Sequence, residues 1–373
     1  MTAFVYGVGS SRYAKQPHLS AGDLIAEAVL EAFGDAAVDT VDAVWVGTVF
    51  GATGVAQRAL HRIGVSDVPV ITVENACASG TTALHEARAA VLAGRYERVL
   101  VVGVETMTAA FDGAIHPEET DAEGRQGLAF PGLYALAAAR YLHEGYVTPE
   151  QLAQVAVKNH RHGLENPRAQ YGGEITVQEV LGSRLIADPL TLLQCCPISD
   201  AAAAAILGPE RGQARDVAIR ASAMRSGGLW DQRSESVWGF DLVRETALQA
   251  FAEAGAGPED VDVLEVHDAF TIGEIVTTEA LGLAEVGGGG ALVASGATSI
   301  GGASPVNPSG GLLARGHPLG CTGVAQAAEI VWQLRGEAGG RQVADARLGV
   351  VETMGGGVSG IDGNACVVAV LGE

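Results

Sequence analysis

The chain reads as an α/β protein made of two similar halves, on three observations. A helix-then-strand pattern near the start, about residues 22–33 followed by 41–47, returns as residues 240–251 followed by 261–270. The run Val104-Glu105-Thr106-Met107 returns as Val351-Glu352-Thr353-Met354. Strands alternate with helices throughout, which predicts a largely parallel sheet in each copy, with the functional edge beyond the carboxyl ends of the strands.

Taken in order, residues 3–8 are a first strand. The helix over 22–33 puts Leu24, Ile25, Ala28 and Ala32 on one face, with Ser20 as its cap. The stretch 69–108 organises the first copy. The β-branched run Ile71-Thr72-Val73 leads into a turn at Cys77-Ala78-Ser79-Gly80. Ala83, Leu84, Ala87, Ala90 and Val91 then mark a helix ending at Gly94, and residues 98–104 the next strand. A thiol at a helix N-terminus meets unpaired amides and the positive end of the dipole, which favour thiolate. Cys77 is therefore either a nucleophile or a small residue packed beneath a helix; Asn75, Ala76, Ala78, Ser79 and Gly80 clear space around the sulfur and favour the first.

Residues 110–205 have a different texture: an acidic loop over 112–125, helical patterns over 133–143 and 149–160, and a long turn over 166–173. Such an excursion is either a cover for a substrate tunnel or a structural lobe. The division expected is an N-terminal half, 1–215, carrying this insertion, and a C-terminal half, 216–373. In the second half, His317 lies in a glycine-flanked loop at the start of a helix running to Leu334, roughly where the first copy has Cys77. His267 ends the repeated strand, and Gly355-Gly356-Gly357 offers bare backbone amides. If the copies are related by a pseudo-twofold, thiol and imidazole meet.

Composition narrows the function. At 373 residues, 48% hydrophobic and 18% charged, the chain can bury a large core. With 23 basic against 44 acidic residues and a net charge of −21, it has no basic face for a nucleic-acid backbone. Anionic substrates would need a local patch; Lys158, His160, Arg161 and His162 are either that patch, meeting a phosphorylated carrier, or an exposed helix end. Five irregularly spaced cysteines match no zinc site and suggest a reducing compartment. No apolar run approaches the roughly 20 residues needed to span a bilayer, so a soluble cytoplasmic protein without a membrane or nucleic-acid partner is expected.

A cysteine, one or two histidines and glycine amides make an acyl-transfer set: a thiolate attacks a thioester, an imidazole moves the proton, and N–H groups hold the oxyanion. Either histidine could instead be a loop residue without a role, and His267 with Asp268 could form a solvated turn.

These residues stand in motifs that resemble the thiolase superfamily, specifically its sterol-carrier-protein-type members, over nearly the whole chain. Asn75-Ala76-Cys77-Ala78-Ser79-Gly80 resembles the nucleophile motif, His267-Asp268-Ala269-Phe270 the second, and Gly316-His317-Pro318-Leu319-Gly320 the third. Asp188-Pro189-Leu190 through Pro197-Ile198-Ser199-Asp200 resembles a stretch of the family's loop domain. The resemblance implies a five-layered αβαβα fold, a dimer, coenzyme A thioesters as substrates with no bound cofactor or metal, and, by analogy, a small zinc-ribbon/OB-fold partner subunit. It implies that Cys77 is acylated and His317 activates it. His317 and His267 would hold one oxyanion, and the amides of Cys77 and Gly355 the other. The reaction implied is thiolytic cleavage of a 3-oxoacyl-CoA or the reverse Claisen condensation. The alternatives are an acyltransferase or retro-aldolase without the second catalytic cysteine, and a non-catalytic acyl-CoA-binding scaffold.

Two positions depart from the family pattern. Thr353 stands where a second, acid/base cysteine belongs, and a hydroxyl is too weak a base for that task. His267, His317 or Cys321 would then substitute, or no such base is needed. Ala201 stands where glycine is expected.

Overall fold

The computed structural model describes residues 2–113, 115 and 121–373, so part of the acidic loop expected over 112–125 lies outside the described residues. The first copy contributes β1 (Ala3–Ser10), α1 (Ala21–Ala36), β2 (Ala43–Gly47), α2 (Val55–Arg62), β3 (Val70–Val73), α3 (Ser79–Leu92) and β4 (Val99–Thr106). An excursion carries α4 (Phe130–His143), α5 (Pro149–Leu164), α6 (Val177–Leu181), β5 (Leu185–Ala187) and β6 (Leu190–Thr191), after which β7 (Asp200–Gly208) rejoins the sheet. The second copy adds β8 (Val217–Arg225), α7 (Phe240–Ala254), β9 (Val263–Glu265), α8 (Thr271–Ala280), α9 (Gly289–Ala294), α10 (Gly311–Ala314), α11 (Leu319–Leu334), β10 (Leu348–Gly355) and β11 (Ala365–Gly372).

The strands run β3-β2-β4-β7-β1-β8-β11-β10-β9. Outward from the centre this is β1-β7-β4-β2-β3 on one side and β8-β11-β10-β9 on the other, with a parallel bridge from Leu264 to Val306 in place of a fifth strand. The repeat in the sequence is thus a pseudo-twofold in space, passing between β1 and β8, which pair only at Ala3–Val5. The sheets are mixed and not largely parallel. β2 is parallel to β3 and β4, and β9 to β10, whereas β7 and β11 run antiparallel to their neighbours. The reason is local: β10 returns to β11 through the loop 356–364 with no crossover helix, so the next strand must reverse.

Three apolar clusters define five layers. Leu24, Ile25 and Ala28 of α1 and Leu60 of α2 cover Val44, Leu100 and Ile206. Leu84 of α3 and Ala328 and Ile330 of α11 fill the middle, against Val101 and Ala203 on one side and Val351 and Ala369 on the other. Leu242 and Phe251 of α7 and Ile275 of α8 cover Val350 and Val368. The alanine run of β7 belongs here. Alanine favours helix, yet Ala201, Ala203 and Ala205 face the middle layer while Ala202 and Ala204 face the outer one. Small side chains on both faces let helices approach this strand closely, and tertiary packing overrides propensity. Because β7 is a core strand, the excursion ends before Asp200, not at 205.

Ser20 caps α1 in a reciprocal box with Asp23, as its sequence predicts. The decisive contact is between α3 and α11, whose backbones touch: a Cβ placed on Gly80 would lie 2.7 Å from the Gly320 carbonyl oxygen and 3.0 Å from the Val324 nitrogen. The N-termini of the two middle helices are thereby locked together, each carrying the loop of one chemical residue.

Candidate active site

Cys77 sits between β3 and α3, in a turn that its own neighbours hold open. Asn75 N–H donates to Ser79 Oγ (2.9 Å), Ser79 Oγ donates to the Ala76 carbonyl (2.6 Å), and the Asn75 amide reaches Thr82 Oγ1 (3.1 Å). Ala76 takes φ +48°, a left-handed conformation that a residue with a Cβ adopts at a cost, and it turns the next residue out of the strand direction. The sulfur is taken from water, which pushes the thiol up to about 12, while the amides of Gly356 and of Cys77 itself pull the other way. The thiolate expected from the helix N-terminus is therefore not the resting state; the resting group is a thiol that needs a base.

A nitrogen able to take that proton, His317 Nε2, lies 3.3 Å away. His317 lies between α10 and α11, after Gly316 (φ +116°), and its amide donates to Ser199 Oγ (3.2 Å). Its Nδ1 is 2.8 Å from Thr322 Oγ1, and the Thr322 hydroxyl gives its own proton to the Pro318 carbonyl (3.0 Å). Thr322 can then only accept, so Nδ1 carries the hydrogen and Nε2 presents a bare lone pair to the Cys77 thiol. Burial and the neighbouring His267 and Arg315 hold His317 well below the usual histidine value, so the pair rests neutral.

His267 has the opposite tautomer. Its Nδ1 accepts from the Met354 amide (3.1 Å), so Nε2 carries the hydrogen; that Nε2 is buried and has no hydrogen-bond partner among the described residues. Its own amide donates to Glu352 (2.9 Å), and its ring centroid is 5.1 Å from that of His317. Burial lowers His267 to about 4, which keeps it neutral and a donor. The ligand atoms of Cys77, His267 and His317 lie within 4.8 Å of one another, a spacing a metal ion could bridge. The Met354 bond opposes this, because a ligating Nε2 would have to surrender its hydrogen to Nδ1, which faces another N–H.

Several expected residues lie elsewhere. Cys321 is fully buried among the middle-layer side chains, with Tyr13 and Arg315 beside it, and cannot serve as the acid/base. Lys158 cannot meet a phosphate: its ammonium is buried 2.8 Å from Glu274 and donates to the Val306 carbonyl (2.8 Å). His160 is buried against Tyr171, and His162 bonds the Asn307 carbonyl (3.0 Å), so only Arg161 of that cluster faces solvent. The amide beside the Cys77 sulfur is that of Gly356 and not of Gly355, because Gly355 still pairs with Ala365 in the β10–β11 ladder and the chain leaves it one residue later. Thr353 is buried, and its hydroxyl donates to Gln326 of α11 (2.5 Å).

Other groups at the site were not singled out from the sequence. Thr322 sets the His317 tautomer and Ser199 holds its backbone; only the closeness of Thr322 to the third motif and the place of Ser199 in the Pro197–Asp200 stretch hinted at them. Tyr134, from the excursion, packs on Phe270 with centroids 4.5 Å apart, and with Trp238, Val243, Ile272 and Val276 lines an apolar cavity that reaches His267.

The N-terminal domain of thiolase matches residues 1–211, and a thiolase C-terminal domain-like model matches residues 229–371. The acetyl-CoA acetyltransferase of Methanothermobacter thermautotrophicus is 43% identical, over 94% of this chain and 96% of that protein. Sterol carrier protein 2 of Oryctolagus cuniculus is 38% identical, over 94% of this chain and 69% of that one. Among solved structures, the Ltp2-ChsH2(DUF35) aldolase superposes with a TM-score of 0.86 at 25% identity, covering 100% of this chain and 97% of that one.

Proposed function

The chain belongs to the thiolase family and is an acyltransferase acting on coenzyme A thioesters, and from that premise we propose how its residues divide the work. Cys77 attacks the thioester or 3-oxo carbonyl as His317 Nε2 removes its proton. The amides of Cys77 and Gly356 hold the oxyanion of the acyl group on sulfur, and the His267 Nε2–H holds the carbonyl oxygen of the second substrate. The observation that carries this reading is the 3.3 Å contact between Cys77 Sγ and a His317 nitrogen whose tautomer leaves it basic. A retro-aldolase needs no acyl-enzyme, and the Cys77–His317 pair would then be idle.

Incubation with acetyl-CoA or a 3-oxoacyl-CoA should add one acyl mass to the intact protein, and Cys77→Ala should abolish it. A scaffold subunit would carry no adduct in either form. A panel of 3-oxoacyl-CoA species read the same way would identify the acyl group.

The assembly proposed is a homodimer formed along β3. That strand ends the sheet with one edge unpaired, and Val70, Ile71 and Val73 are only half-buried. A small zinc-ribbon/OB-fold partner is supported by the ChsH2(DUF35) component named in the related aldolase. Co-purification and the mass of the native complex test both. Five free cysteines support a reducing, cytoplasmic setting, and among the described residues no helix is long and apolar enough to cross a membrane.

A further inference from the structure

The acyl-transfer reading leaves one proton without a donor. When Cys77 takes the acyl half of a 3-oxoacyl-CoA, the carbon–carbon bond breaks toward the other half, and its α-carbon must be protonated. His317 faces the sulfur, His267 Nε2–H is committed to the carbonyl oxygen, Thr353 is bonded to Gln326, and Cys321 is in the core.

The segment from Cys195 to Ser199 crosses the site between the two histidine loops. Cys195 bridges Phe270, the Cys196 amide donates to the Ala269 carbonyl (2.9 Å), and Ser199 Oγ receives the His317 amide (3.2 Å). Residues opposed across an antiparallel bridge share a face, so Cys196 stands beside Ala269, whose single methyl leaves room for a thiol. The Cys196 side chain is half-buried and close enough to Cys77 for the two charges to interact. The His267 Nε2, unpartnered among the described residues, lies within 4.8 Å of the Cys77 sulfur.

We propose that Cys196 is the second acid/base of this enzyme, doing from the excursion what Thr353 cannot do from β10. In the thiolytic direction the Cys77 thiolate bonds to the 3-oxo carbon and the C2–C3 bond breaks. Its electron pair passes to the thioester enolate, whose α-carbon takes the proton of Cys196, leaving a thiolate there. Incoming CoA-SH gives its proton to that thiolate, its sulfur bonds to the acyl carbon, and the Cys77 thiolate leaves. Both cysteines are then as they began. Burial raises the Cys196 thiol well above its ordinary value, which keeps the acid protonated until the enolate forms.

The proposal rests on the acyl-enzyme reading, and two acyl donors separate them. Acetyl-CoA acylates Cys77 without touching a carbon–hydrogen bond; acetoacetyl-CoA acylates it only if the enolate is protonated. Acylation of Cys77 by each is followed by rapid quench and intact mass in the wild type, Cys196→Ala, Cys196→Ser and Tyr134→Phe. Both Cys196 variants should keep acylation by acetyl-CoA within about threefold and lose about 10²- to 10⁴-fold with acetoacetyl-CoA, the range of general acid catalysis. Serine preserves volume without the acidity, so it guards against a packing defect in the alanine form. Unchanged acetoacetyl-CoA rates in both variants, an equal loss with both donors, or a selective collapse in Tyr134→Phe each overturn the assignment. A wild type that no donor acylates overturns it together with the acyl-enzyme mechanism.

Discussion

Thr322→Val tests the tautomer logic at the centre of the site without touching either reacting group. Valine has nearly the volume of threonine, and Thr322 is fully buried, so packing changes little. The Pro318 carbonyl that loses the Thr322 hydroxyl keeps the amides of Cys321 (2.9 Å) and Thr322 (3.0 Å). What remains is the His317 Nδ1–H with no acceptor. Leaving a buried donor unpaired costs about 1–3 kcal/mol, which the imidazole avoids by moving its hydrogen to Nε2. That tautomer meets the Cys77 thiol hydrogen to hydrogen and cannot take its proton. The basic form becomes the minor one by the same free energy, so kcat/KM for Cys77 acylation should fall about 5- to 160-fold. The fall should appear in the acylation rate, with KM nearly unchanged, and Thr322→Ser should restore it. A folded Thr322→Val enzyme that acylates within about twofold of wild type would refute the reasoning.

Gly80→Ala should destabilise by about 1–3 kcal/mol, although helix propensity alone favours alanine by about 1, because the new Cβ meets the Gly320 carbonyl; thermal unfolding gives the sign, and a stabilised variant would show the helices are not in backbone contact. Lys158→Met leaves the Glu274 carboxylate buried without its cation, held only by the amides of Asn159 and Asn307, so it should cost about 3–5 kcal/mol on denaturant unfolding while KM for CoA stays at the wild-type value; a raised KM with unchanged stability would restore Lys158 to the substrate. His317 must be neutral to act, and its protonation is displaced well below 6.5, so as pH falls the active form persists past the point where an ordinary histidine would be half-protonated. The kcat/KM profile should therefore run level through pH 6.5, and an acid limb centred there would contradict the neutral pair.

The elements most readable in the sequence are those whose pattern is local. The α1 cap, the Cys77 turn and the repeated Val-Glu-Thr-Met runs are short and self-contained, and each forms where its residues predict. Several of the misreadings are questions of facing. Lys158 looks like part of a basic patch because only its neighbours along the chain are visible, while Glu274, which takes it inward, is far away in sequence; His160 is covered by Tyr171 where the following turn folds back. Cys321 follows His317 by four residues, but a helix starts between them and turns the thiol to the other side, toward Tyr13. β7 is built on five consecutive alanines, a residue that favours helix, and only the layers on both its faces make them a strand. Cys196 has no motif of its own; what draws notice to it is its neighbour across space, Ala269.

The duplication also gives the asymmetric site partly equivalent supports. Glu105 at the end of β4 and Glu352 at the end of β10 occupy equivalent places, and both are buried carboxyls that accept backbone amides. Glu105 takes those of Val49 and Phe50 after β2, and Glu352 takes that of His267 after β9. Glu105 additionally accepts from Gly320 at the start of α11, so the first copy's carboxylate anchors the second copy's histidine loop. Glu105 therefore ties the loop after β2 to the start of α11, while the close approach of Gly80 to Gly320 holds the start of α3 against it. Once that geometry is held by backbone and buried carboxyls, the two loops need not carry the same residue. One can hold a thiol and the other an imidazole, and the 3.3 Å between them is set by these supports and not by the reacting groups.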